Sequence, residues 1–191
     1  MSALAKSISR VAWSYVFLYL DVNISVDGGS LNLLPDFICY VLILCALPGL
    51  AIEERSAALL RPLAWILLVV EAVRWVLPVI GLSSDLWGVY LLGLVVSVVS
   101  LYFHFQLLTN ISDIAARFDA QRAVSIRRLR NLVTVFNTVM SIPWPVNRLG
   151  SEALTFAAFV LIVIVLIMIV WTFRCLFGLR RTVIESGTQD M

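Results

Sequence analysis

The chain has 191 residues, of which 61% are hydrophobic and 14% charged, with a formal net charge of +2 and a mean hydropathy of +0.99. Long uncharged apolar runs offer no polar face to water, which excludes a soluble globule and places residues 1–191 in one integral membrane domain. The small, dispersed net charge argues against nucleic acid as a partner, and the three scattered cysteines and single histidine argue against a zinc centre.

Six segments approach the length of about 20 residues that crosses about 30 Å of hydrocarbon. They predict helices over 8–26, 31–52, 63–82, 89–108, 131–147 and 154–177. Lys6 and Arg10 before VAWSYVFLYL resemble the start of a signal peptide. The run then meets Asp21 and Asn23 rather than a small-residue cleavage site, so it reads as a retained first helix. Asp21 and Asn23 sit about 200° apart around a helix and share a groove only if the helix unwinds or ends there.

Gly28 and Gly29 predict a tight outside turn. Asn32 then suits the N-cap of the second helix, with Pro35 and Asp36 in its first turn. Proline is tolerated there, and a carboxylate meets the positive end of the helix dipole.

The third segment carries Glu71 and Arg74 near its midpoint, three residues apart and on one face. An ionisable group inside a span is costly; it marks either a functional path or a pair that neutralises itself and locks helix packing. His104 and Gln106, near the inner end of the fourth segment, read as interfacial groups reaching the headgroups. Beyond them, Ile111, Ile114, Ala115 and Phe118 recur at helical spacing. They predict one amphipathic cytoplasmic connection over 109–130. Arg127, Arg128 and Arg130 fall at its end, at headgroup level, where they suit anionic lipid or a docking partner. Pro143 and Pro145 make the fifth segment kinked or re-entrant.

Charge orients the segments. With six crossings and an inside N-terminus, Lys6, Arg10, Arg55, Arg61, Arg117, Arg122, Arg127, Arg128, Arg130, Arg174, Arg180 and Arg181 all face the cytoplasm. Only Arg148 falls outside, and Arg74 lies within the membrane. The positive-inside rule therefore predicts an all-α bundle of six transmembrane helices with short outside loops and both termini cytoplasmic.

The opening stretch, LDVNI followed by a glycine turn and NLLPDFICY, resembles a group of small multi-pass membrane proteins of Gram-positive bacteria. Their hallmark is D-x-N at the end of the first helix and LPDFIxY opening the second. The matching positions are Asp21, Asn23, Leu34, Pro35, Asp36, Phe37, Ile38 and Tyr40, with Cys39 where glycine is usual. The resemblance covers about the first fifty residues of the chain. It implies architecture and compartment, and it links Asp21 with Asp36; it implies no activity.

Asp21, Asn23, Asp36, Glu71 and Arg74 form the candidate polar constellation, a ligand or ion pathway opening outward. The sequence has no HExxH, no GxSxG and no multi-histidine cluster, so no catalytic set, metal or cofactor is expected and an enzyme is the weakest reading. Passage of a small solute or ion is the first reading. The alternative is a non-catalytic membrane subunit, chaperone or sensor, working with a membrane-protein partner or a second copy of the chain. Glu71 and Arg74 discriminate between them: lining a water-accessible cavity favours passage, and being sealed favours a partner role.

The topology is tested with reporter fusions after Gly29, Arg61, Asp85, Arg122, Gly150 and Asp190. They are expected to alternate out, in, out, in, out, in, and an external C-terminus would sink the six-crossing arrangement.

Overall fold

The computed structural model describes residues 2–20, 23–26, 29–32, 35–79, 87–142 and 150–189. Among them are six α-helices: α1 (Ala3–Tyr19), α2 (Phe37–Glu53), α3 (Leu60–Val79), α4 (Trp87–Ala116), α5 (Ala120–Met140) and α6 (Ser151–Gln189). A short hairpin, β1 (Asn23–Val26) and β2 (Gly29–Asn32), joins α1 to α2, and a 3-10 turn over Arg55–Leu59 joins α2 to α3. Among the described residues, three helical stretches are long and apolar enough to cross a membrane: Arg55–Leu77, Gly93–Ala116 and Glu152–Ser186; Phe37–Glu53 is apolar but shorter. The chain is thus a helical protein of membrane character.

The hairpin is the first departure from expectation. Residues up to 26 and from 31 onward were assigned to helices, yet α1 ends at Tyr19 and α2 begins at Phe37. Between them, Asn23 pairs with Asn32 and Val26 with Gly29 in antiparallel register. The local chemistry explains it: Ile24 and Val26 are β-branched, and the connecting Asp27-Gly28 is a favoured two-residue hairpin sequence. Asn32 is therefore a strand residue, not a cap. The N-cap position belongs to Asp36, which makes no side-chain capping hydrogen bond. At the other end, α1 starts before residue 8 because Ser2 caps it, its hydroxyl accepting from the Ala5 amide at 3.2 Å.

The amphipathic connection expected over 109–130 is the continuation of one helix and the restart of the next. Helix α4 runs on to Ala116, the chain turns through Arg117 and Phe118, and α5 starts at Ala120. Asp119 fixes the restart by accepting from the amides of Gln121 (2.8 Å) and Arg122 (3.3 Å). The amphipathic pattern was read correctly, since Ile111, Ile114 and Ala115 on α4 are buried, as are Ala123 and Ile126 on α5. They belong to the two arms of an antiparallel helical hairpin. Helix α5 ends at Met140, and the prolines at 143 and 145 lie outside the described residues.

Each helix packs on its neighbours in sequence, and α6 returns to α1, which closes the bundle. Helices α1 and α2 approach closely. A Cβ at Gly49 would collide with Ser7 Oγ and lie 3.1 Å from the Ala3 carbonyl oxygen, so this contact requires glycine. Small residues allow such backbone approach, which in a bilayer replaces the hydrophobic drive available in water. Helix α6 is the least covered. Phe156, Phe159, Ile162, Leu166 and Ile167 are all exposed along it, and such a surface needs hydrocarbon around it.

Gly49→Ala is expected to lower stability by about 1–3 kcal/mol, as overpacking does. Ser7→Ala should recover part of the loss by removing the hydroxyl. Gly93→Ala, where an added Cβ meets nothing within 4 Å, should be neutral or slightly stabilising. Thermal unfolding in mild detergent reads all three; equal losses at Gly49 and Gly93 would contradict the α1–α2 contact.

Candidate functional site

The acid–base pair of α3 forms as its spacing implies. The Arg74 guanidinium donates to Glu71 Oε1 at 3.2 Å. Its two members differ in setting: the Glu71 side chain is 15% exposed and that of Arg74 59%. Arg74 stands about 7.5 Å before the end of α3, beside the exposed Val73 and Val76. It therefore covers the carboxylate from the outer flank of the bundle, a position from which an arginine stem reaches toward headgroups.

Glu71 faces α2. The Phe37 and Trp75 rings meet edge-to-face at 5.9 Å and clasp α2 to α3 nearby. Asp36 and Glu71 both lie within electrostatic reach of Cys39 and Tyr40. Three of the five predicted residues, Asp36, Glu71 and Arg74, therefore share one neighbourhood. Asn23 lies on β1, opposite Asn32 of β2, and β2 runs beside α3. Asp21 lies outside the described residues, as does Asp27.

A polar tier that sequence reasoning missed lies deeper. His104 is not interfacial: it is 2% exposed and wedged between α1 and α2. Its Nδ1 is 3.3 Å from the Tyr15 hydroxyl, and its ring lies 5.5 Å from that of Tyr15 and 6.0 Å from that of Tyr40. Phe103 stands edge-on to it at 5.3 Å. One turn along α4, Ser100 shares a 3.1 Å hydrogen bond with the Tyr40 hydroxyl. Edge-to-face and tilted ring pairs of this kind add to the area they bury. The only signal for this tier was a handful of polar atoms inside apolar runs, and nothing in one sequence pairs Tyr15 with a residue far along the chain.

Toward the C-terminal end of α4, buried Leu107 and Leu108 alternate with the polar Gln106, Thr109 and Asn110, while Ile43, Leu47 and Leu50 are buried on α2. A second polar group follows there. That group is a lock between the α2–α3 corner and the end of α4. Gln106 donates to Asn110 Oδ1 at 3.0 Å, and the Ser56 hydroxyl lies 3.0 Å from the same oxygen and 3.1 Å from Glu54 Oε1. Arg117 donates to the Glu53 carbonyl at 2.7 Å and to Glu54 Oε2 at 2.9 Å. Charge-assisted bonds of this kind are short and strong.

The predicted headgroup arginines of α5 divide. Arg127 donates to Ser112 Oγ at 3.0 Å and pairs with Asp113 at 3.6 Å. Arg130 donates to Thr109 Oγ1 at 3.1 Å and to Asn131 Oδ1, with its guanidinium 4.4 Å over the Phe105 ring. Both therefore stitch α5 to α4, while Arg127 and Arg128 are exposed and Arg130 is half-buried. Among the described residues, no group of three His, Cys, Asp or Glu side chains could hold a metal ion.

No family model, curated protein or solved structure matches the chain. Of the opening stretch, Pro35, Asp36, Phe37, Ile38 and Tyr40 fall at the start of α2.

If Glu71 and Arg74 compensate each other, Arg74→Gln is expected to cost about 2–3 kcal/mol by leaving a carboxylate unpaired in the bilayer. Glu71→Leu/Arg74→Leu should be better tolerated. Thermal stability in detergent decides it: a double variant as damaged as the worse single one means the two residues do not compensate each other.

Proposed function

We propose that this protein is a non-catalytic membrane component that acts with another membrane protein and does not itself conduct a solute. The observation that carries this reading is the arrangement of polar groups. Arg74 pairs with Glu71 at 3.2 Å, and Tyr15, Tyr40, Phe103 and His104 are each no more than 2% exposed, so the deeper polar tier is closed to water. A conduit needs polar or wet surface along its length, and a polar tier closed by packed rings does not supply it. The short α4–α5 connection and the arginine-rich first half of α5 suit a part held in an assembly.

The same reading places six crossings and both termini on the cytoplasmic side of a bacterial cell membrane. Its support is the basic asymmetry of the sequence together with six consecutive, neighbour-packed helices. The competing reading, passage of a small solute or ion past Asp21, Asn23, Asp36, Glu71 and Arg74, requires the Glu71–Arg74 pair to open.

Reconstitution of the pure chain into liposomes separates the two. Flux of Na⁺, K⁺, H⁺ or Cl⁻ is expected to equal that of protein-free vesicles. In mild detergent, the chain from its native membrane should migrate with a second membrane protein at fixed stoichiometry. A flux that Glu71→Gln abolishes would overturn the proposal.

A further inference from the structure

Between α5 and α6 lies a cleft of about 660 Å³ that none of the reasoning above uses. Its two ends differ in chemistry. Arg122, Ser125 and Arg174 form one end, and Leu166, Val170 and Trp171 form the wall leading away from it. From Arg174 back to Leu166 the wall climbs about 12 Å along α6. Because α6 is uncharged from Leu154 to Phe173, that wall lies within the hydrocarbon and the two arginines lie at its edge. Trp171, next to the boundary, sits where aromatic belts form.

The charge at the mouth is unbalanced. Arg122 Nε pairs with Asp119 at 3.2 Å, whereas no carboxylate of the described residues pairs with Arg174. Both arginines line the same cleft, with Cys175 beside them. Gly178 contributes to this placement. The Arg122 guanidinium rests where a side chain at 178 would stand, so glycine lets it lie across α6. Ser125 supplies no further donor, because its hydroxyl already donates to the Gln121 carbonyl at 3.0 Å.

We propose that this cleft binds an anionic phospholipid, with its phosphate between Arg122 and Arg174 and one acyl chain along Leu166, Val170 and Trp171. Two guanidiniums beside a single carboxylate favour a phosphate that carries no cation of its own, because a choline or ethanolamine ammonium would be repelled there. The apolar wall selects a lipid over free phosphate: it gains only when an acyl chain covers it. The site is distinct from the predicted headgroup contacts of Arg127, Arg128 and Arg130, and it holds whichever way the bundle faces.

Native mass spectrometry of the full chain in a mild nonionic detergent tests it, with phosphatidylglycerol and phosphatidylcholine offered at equal concentration. Phosphatidylglycerol is expected to be retained preferentially. Arg122→Gln and Arg174→Gln should each weaken that preference roughly fivefold, the effect of one basic residue at a lipid surface. Arg61→Gln, the same loss of charge at an exposed position of α3, should leave it unchanged. Arg174 is itself exposed, so its variant is expected to fold even where that of Arg122 does not, and Arg174→Lys should restore most of the preference. Equal retention of the two lipids, or an equal loss with Arg61→Gln, would overturn the site. Displacement of the lipid by inorganic phosphate at the same concentration would show an anion site without a lipid.

Discussion

A helix facing hydrocarbon has nowhere outside to send a polar group, and His104 is where this chain meets that constraint most severely. The imidazole lies at the centre of the bundle, and its neighbours come from two other helices: Tyr15 of α1 by hydrogen bond and Tyr40 of α2 by ring contact. Their joint demands fix how far α1 and α2 may slide against α4. A slip of one helical turn displaces the Tyr15 hydroxyl by about 5.4 Å and leaves two buried polar groups unpaired. Apolar packing tolerates many registers, and a buried imidazole between two phenols tolerates one.

The remaining polar contacts repeat this logic at the two ends. Arg117 joins the α2–α3 corner to the end of α4, and Glu71 with Arg74 closes the opposite end beside Phe37 and Trp75. Between these fixed levels the core is aliphatic and makes few positional demands. The α1–α2 contact at Gly49 is the exception, where shape replaces hydrogen bonding as the source of specificity. The fold is accordingly held by a few polar levels connected by permissive packing.

Hydropathy made the helical, membrane-associated character legible, and the i, i+3 spacing made the Glu71–Arg74 pair legible, because both depend on neighbours in sequence. The amphipathic pattern over 109–130 was also real, but periodicity does not reveal a three-residue turn within a helical run; only the capping geometry of Asp119 does. The ends of α1 and α2 were misplaced for a related reason. Apolar β-branched residues such as Ile24 and Val26 satisfy a hydropathy window as readily in a strand as in a helix. His104 was misjudged because its partners lie on other helices, and a lone sequence holds no record of which faces meet. The opening cluster resolved in part: Asn23 and Asn32 face one another across a hairpin, and Asp36 stands at the head of α2.

The length of α6 has a mechanical consequence. Its 39 residues form one unbroken helix, about 58 Å from end to end, roughly twice the thickness of the hydrocarbon. The half that carries Phe156 and Phe159 is bare, whereas Leu176, Leu179 and Val183 in the other half are buried against the bundle. Such a rod works as a lever whose fulcrum is the buried half. A tilt of about 10° swings the free end through about 5 Å, the rise of one helical turn. Bilayer thickness sets the tilt of long spans at a cost of only fractions of a kcal/mol per Å, so the thickness of the surrounding membrane bears directly on how α6 seats against α1 and α5.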